Sequence, residues 1–430
     1  MRTNIRRTKQ IKNMAVIMMI LVLLLSSGCS GHQGNAENTA LEDRQENLLE
    51  KDWEEIEETA QGTTVNFYMW GGDERTNTWV DTFVADSLWE KYQIKVNRVP
   101  MGPEEYLNKL LGEKQAGKQD GSIDMLWING ENFRTARKAE LLWGPFAEKV
   151  PNYEKYVDTT APDVKNDFGF PVEGYEVPYG KAQFVFAYDT AKVKNPPGSS
   201  AELLQWVKEN PGRFTYPELP DFTGSVFIRH LMYELCGGYE AFPFTEEVEK
   251  VGLDQKLTPL WAYLEEMKGY LWRQGETYPS SIGALHQLFG DGEVDLTMTY
   301  NPAAISGMIE ENLLPDTVRT FVWDQGTIGN THFLAIPFNA SHKAAALVLA
   351  NFLLSPEAQL DKYRPAQWGD LIALDIKKLE QRYLDELSGI DPGIATLSSE
   401  ELQTHRVPEI AASYIPVIEE LWKEKIVQGQ

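Results

Sequence analysis

The chain has 430 residues, more than one domain usually holds, and 42% of them are hydrophobic, which is ample for two cores. Forty Lys and Arg stand against 64 Asp and Glu, for a formal net charge of −24. That balance argues against a nucleic-acid partner, which needs clustered cations, and for a soluble, self-repelling surface.

The N-terminus reads as an export signal, outside the fold. Arg2, Arg6, Arg7, Lys9 and Lys12 precede an unbroken apolar run from Met14 to Leu25, too short to span a bilayer comfortably. Leu25-Ser26-Ser27-Gly28-Cys29 then puts small residues before a cysteine. This resembles a bacterial lipoprotein cleavage site, which implies a signal peptide over 1–28 and lipidation of Cys29. The other reading is an ordinary secretory signal with an incidental cysteine. Losing the five basic residues takes the charge from −24 to about −29. Residues 29–62, polar and then dense in Glu and Asp, read as an acidic tether, although Trp53 and Ile56 could support a short helix. Cys236 is the one other cysteine, so no disulfide joins two folded-domain cysteines. It ends an apolar helical run and reads as an inert buried thiol.

The folded part opens at Thr63. Thr64 to Trp70 reads as a strand, Gly71-Gly72 as a tight turn, Asp73 as its continuation, and Thr78 to Tyr92 as a helix. Ile94 to Val99 is a second strand, Glu104 to Gly112 a helix, and Ile123 to Ile128 a third strand ending in Asn129-Gly130-Glu131-Asn132-Phe133. Strands alternating with helices argue a parallel α/β sheet, whose ligands sit beyond the carboxyl ends of the strands. Both Trp70-Gly71-Gly72 and Asn129 to Phe133 fall there. Val177 to Asp189, VPYGKAQFVFAYD, reads as a turn at Pro178 and Gly180, then an apolar, β-branched and aromatic strand. A similar run from His332 to Pro337 leads into a long helix, so the chain has the two strands needed to leave one lobe and return.

These motifs resemble an extracellular solute-binding protein of an ABC importer, in its YnjB-like branch, related to thiamine-, iron- and polyamine-binding proteins. WINGENF and PELPDFTGSVFIRH carry the resemblance, which runs from about Thr63 to the C-terminus. It implies a type II periplasmic-binding-protein-like α/β clamshell of two lobes with a two-strand hinge. Lobe 1 would take 63–176 and 331–362, and lobe 2 would take 177–330 and 363–430. It further implies a lipid-anchored protein on the outer face of the cell membrane, a monomer that serves an ABC permease and ATPase.

Later segments read against that frame. Ala201 to Glu209 is an amphipathic helix. Leu219 to Ser225 is a shaped loop that brings Asp221, Phe222 and Thr223 to the second jaw, with Asp221 equally a turn or cap residue. The aromatics of Trp261 to Trp272 read as core. Gly290 to Asp295 lacks the ligand alternation of a calcium loop. Tyr300 and Asn301 end a strand. Asp324 to Thr331 is a polar, glycine-bearing turn, Ser341 caps a helix through Leu354, and Ser355 starts the next. Pro408 to Ile426 is an amphipathic tail helix.

No H-E-x-x-H, G-x-S-x-G or G-x-x-x-x-G-K-[ST] pattern occurs. The reading is therefore no enzyme, no catalytic residues, no metal and no cofactor. Two lobes close on a small organic ligand. Trp70, Phe133 and Tyr300 offer flat contact, while Asn129, Asn132, Gln183 and Asn301 offer hydrogen bonds. Asp73, Glu131 and Asp221 favour a cationic or thiamine-like group. Gly71-Gly72 at a helix start keeps an oxyanion open. The alternatives are a lipid-anchored carbohydrate-active enzyme and a ligand-sensing receptor subunit.

Overall fold

The computed structural model describes residues 47–429. The expected signal peptide, Cys29 and the first part of the tether lie outside the described residues. The rest of the expected tether is shorter than its composition suggested. Trp53–Ala60 forms helix α1, buries Ile56 and Ala60 completely, and packs on the helix at Lys343–Leu353. Ile56 and Ala60 stand four apart on one helical face, so an acidic segment still carries an apolar stripe.

The strand–helix alternation then follows. Strand β1 (Thr64–Met69) leads to α2 (Glu74–Trp79), which runs through a π turn into α3 (Ala85–Tyr92). Next come β2 (Lys95–Pro100), α4 (Pro103–Gln115), β3 (Met125–Ile128) and α5 (Gly130–Lys138). β1 pairs in parallel with both β2 and β3.

The chain crosses out through β4 (Glu176–Gln183) and β5 (Val185–Asp189), broken only at Phe184. Pro178 and Gly180 lie within β4, not in a turn. A side chain at Gly180 would overlap the Asp370 carboxylate and stand 2.5 Å from His332 Nε2 and Lys362 Nζ. The glycine is a close approach between backbone and side chains.

The second lobe holds α6 (Ser200–Glu209), α7 (Phe222–Leu235), α8 (Thr258–Lys268) and α9 (Ile282–Gly290). Strand β6 (Leu296–Thr299), α10 (Ala304–Glu310) and β7 (Val318–Phe321) follow. β5 pairs antiparallel between β6 and β7 in a three-stranded sheet. The return strand β8 (Thr327–Ala335) starts earlier than expected and takes in most of the polar stretch read as a turn. It runs antiparallel to β4 and β3, and parallel to the short β9 (Arg406–Pro408). The first sheet thus runs β9-β8-β3-β1-β2, with β4 on the other side of β8.

Helices α11 (Lys343–Leu353) and α12 (Pro356–Tyr363) cover the first lobe. Ser355 caps α12 through Ala358 N–H, with Pro356 at the first helical position. Ser341 is no cap, because its hydroxyl donates to Gly121 O and His342 begins the helix. The segment after α12 was assigned to lobe 2, yet Asp375 N–H bonds Tyr156 O and Glu380 accepts from Tyr156 Oη. Residues 375–380 therefore stay with the first lobe's side chains. The chain ends in α13 (Ile415–Trp422), with a π turn beyond it. Among the described residues, one large core cluster gathers around Phe186, Phe227 and Trp422 and another around Tyr106, Leu110 and Phe133.

Candidate ligand-binding cleft

The carboxyl end of β1 forms the first jaw. Trp70 is 45% exposed and meets Trp127 edge-on at 6.5 Å. A side chain at Gly72 would overlap the Trp70 indole, and one at Gly71 would stand 2.6 Å from Pro100 Cβ. Gly72 lets the tryptophan fold back over its own turn, and Gly71 lets the turn pass close to Pro100. Asp73 caps α2, accepting from Thr76 N–H at 2.8 Å and from its hydroxyl at 2.9 Å. Beside it, Arg75 reaches the second lobe. Its guanidinium lies over Gly307, donates to Ala304 O at 3.3 Å and pairs with Glu311 at 3.5 Å.

The end of β3 adds the polar group. Gly130 adopts φ +59°, and a side chain there would press on the Phe168 ring at 2.7 Å. Both constraints select glycine. Its N–H donates to Asp167 Oδ2 at 2.6 Å. Asn129 stands at the helix start without capping it, and Asn132 donates weakly to Glu131 at 3.3 Å. Glu131 is half-buried and in no ion pair. Burial pushes it up to about 7 against its own backbone N–H and Arg229, with Glu419 and Glu409 adding to the rise. Phe133 points away from the jaw into the core, fully buried against Phe170.

The second lobe opposes these with α7. Asp221 caps that helix through Thr223 and Gly224 N–H, and its other oxygen accepts from Ile282 N–H, so the carboxylate is occupied structurally. Thr223 is buried, and Phe222 packs edge-on to Tyr300 at 5.0 Å. Tyr300 Oη is buried with no partner. Asn301 accepts from Ala303 N–H and donates across the lobes to Trp368 O at 3.1 Å. Gln183 is buried in the hinge, donating to Thr327 Oγ1 and His405 O.

Further polar and aromatic groups come from other parts of the chain. Arg229, 1% exposed, forms a bidentate pair with Glu409 at 2.9 and 2.8 Å and donates to Ser225, which in turn donates to Glu419. Burial disfavours the Arg229 charge, but Glu409 outweighs it and raises its pKa. Trp127 touches Tyr179, His332 and Trp368 at 5.6, 5.0 and 5.5 Å. Below them Asp370 accepts from Lys362 at 2.6 Å and from His332 at 3.0 Å. Asn330, on hinge strand β8, is buried with both amide atoms unpartnered. Trp127 stood inside the quoted WINGENF motif. Arg229 and Glu409 are 180 residues apart and gave no local signal.

A family model for bacterial extracellular solute-binding proteins matches residues 78–375. Protein YnjB of Escherichia coli (strain K12) is 40% identical over 343 residues, 79% of this chain and 87% of that one. Among solved structures, the spermidine/putrescine ABC transporter substrate-binding protein PotD of Streptococcus pneumoniae gives a TM-score of 0.57 at 16% identity, over 84% of this chain and 98% of that one. A periplasmic thiamin binding protein gives 0.58 at 16% identity, over 84% and 96%. Those two likenesses are of fold, the type II periplasmic-binding-protein architecture expected from the sequence.

Proposed function

The chain belongs to the bacterial extracellular solute-binding proteins, and on that premise we propose that it captures a small organic solute with a cationic group for an ABC importer. The single observation that carries the cationic preference is Glu131. Near it, Arg229, the one buried guanidinium among the described residues, is already matched by Glu409, and Glu419 adds a further carboxylate. A ligand cation between the jaws relieves that excess of negative charge, and Trp70, Trp127, Phe222 and Tyr300 offer ring faces to the same group. Tyr300 Oη, Asn129 and Asn132 supply directional contacts. Gly71, Gly72, Gly130, Asp73, Asp221, Asn301 and Gln183 shape the jaws and hinge. Ligand contact with both lobes favours the closed arrangement, which docks on the permease.

In this reading the protein is exported and held at the extracellular face of the cell membrane by lipid on Cys29, as a monomer. Among the described residues no helix is long and apolar enough to cross a membrane. Metabolic labelling with a radiolabelled fatty acid, lost in Cys29→Ala, tests that part.

The ligand is tested by thermal shift of the full chain against polyamines, thiamine, zwitterionic amino acids, sugars and oxyanions. A ligand at a hundred times its Kd adds about 2.7 kcal/mol of stability. A cationic hit abolished by Glu131→Gln and weakened by Trp70→Ala is expected. Stabilisation by oxyanions or sugars alone would sink the cationic reading and leave solute capture standing.

A further inference from the structure

Beside α7 there is a small cavity of about 70 Å³. Its wall includes His230, Tyr233, Glu234 and Tyr239 from α7 and the turn after it, with Gln325 and Gly326 from the turn before β8 and Val407 from β9. One water needs roughly 10–15 Å³ measured this way, so there is room for an ion with its own water. His230 is 2% exposed, and both its ring nitrogens lack a partner. Phe184, Phe186 and Trp323 pack around the ring with centroids at 5.7, 6.2 and 4.6 Å, leaving the cavity as the polar outlet. Glu234 stands one helical turn on, at the i+4 position, which faces the same way. One of its oxygens accepts from Ser200 N–H at 2.6 Å, and the other is buried without a partner. No Lys or Arg lines the cavity.

We propose that His230 and Glu234 bind a divalent transition-metal ion of the zinc, nickel or copper class in this cavity. Imidazole and carboxylate are both ligands of such ions. Burial pushes His230 down to about 3, which keeps its ring neutral and its lone pair available. Among the described residues no three of His, Cys, Asp and Glu converge, so water and the oxygens of Tyr239 or Gln325 complete the shell. Unpaired, the imidazole and the free carboxylate oxygen are a standing cost to the fold. The ion removes it and ties α7 to the turn before β8 and to β9.

The test uses the full chain, purified without a histidine tag and stripped with chelator, titrated calorimetrically with Ni²⁺ and with Cu²⁺. One ion per chain is expected, with a nitrogen-coupled Cu²⁺ electron paramagnetic resonance spectrum. His230→Gln and Glu234→Gln should each weaken binding at least about tenfold. Glu234→Gln keeps an acceptor for Ser200 N–H, so it tests the charge without uncapping α6. The double variant His342→Ala/His405→Ala, which removes two histidines outside the cavity, should leave binding unchanged. No bound ion, a nitrogen-free copper spectrum, binding unaffected by both cavity variants, or binding lost in the double variant overturns the proposal.

Discussion

Two buried polar clusters flank the hinge strands of the first lobe, and they are built on opposite rules. In one, Lys362, Asp370 and His332 hold a cation, an anion and a ring in mutual hydrogen bonds, with Lys362 also donating to Tyr179 O at 2.7 Å. In the other, Asp167 and Glu176 lie buried near Tyr106 with no paired cation. Both Glu176 oxygens and one of Asp167 lack a partner. The nearby Arg137 gives its Nη2 to Glu173 instead. Burial pushes all these carboxyls up, but only Asp370 has His332 and Lys362 to bring it back below the ordinary carboxylate range. Glu176 and Asp167 stay well above it. Balanced charge gives an ionised, rigid anchor, and unbalanced charge gives acids that keep their protons.

The largest effect comes from unbalancing the balanced cluster. Lys362→Met leaves the Asp370 charge buried beside His332 alone and should cost about 3–5 kcal/mol by denaturant midpoint. Adding Asp370→Leu should recover part of that loss, because an apolar pair of similar volume is tolerated where a lone charge is not. If the double variant is no better than the single, charge balance is not what holds the site.

Gly180→Ala attacks the same cluster by volume. The added methyl overlaps the Asp370 carboxylate, so a loss of about 1–3 kcal/mol is expected, the range for overpacking. No change in melting temperature would mean that the three side chains have room to yield.

The contrast also marks what the sequence could tell. The β1–α2–β2–α4–β3–α5 alternation was legible because period, glycine turns and caps are local. The apolar parts of the crossing, Gln183 to Asp189 and His332 to Ala335, were legible as strands, while the polar or turn-like halves of β4 and β8 were not, and Asn129 to Phe133 was placed at a strand end. The burial of Phe133, the capping role of Asp73, the second bond of the Asp221 cap to Ile282 N–H, and the place of Gly180 inside a strand were not. Each depends on what lies opposite in space: Phe170 for Phe133, Ile282 for Asp221, Asp370 for Gly180. The ion pair of Arg229 with Glu409 was hidden for the same reason. The helix at Trp53–Ala60 was legible only as an option at Trp53 and Ile56, because its glutamates outnumber the two side chains that bury it.

The unbalanced cluster predicts a gain. In the unfolded chain Glu176 loses its proton near its ordinary value of 4.5, whereas in the fold it keeps it to a much higher pH. The folded state then binds more protons, so stability falls as pH rises above that value, by at most about 1.4 kcal/mol per pH unit for one such group. Glu176→Gln removes this dependence. It should be more stable than the wild type at pH 8 and converge with it near pH 4, read from thermal melts across that range. Equal melting curves at every pH would show that Glu176 is solvated or paired in solution.

The smallest effect on folding is expected at Glu131, which is half-buried and so screened by water. Its carboxyl is raised from 4.5 to about 7, so its contribution to stability should decline between those two values as pH rises and stay level above the upper one. Glu131→Gln should remove that slope and nothing outside the window. A cation seated against Glu131 favours its ionised form and lowers the pKa, so binding releases a proton where the empty site would hold one. Affinity for a cationic ligand should therefore rise from pH 5 to 7 and then level. A neutral ligand should show no such rise, and a ligand that binds more tightly at low pH would place its recognition on some group other than this carboxylate.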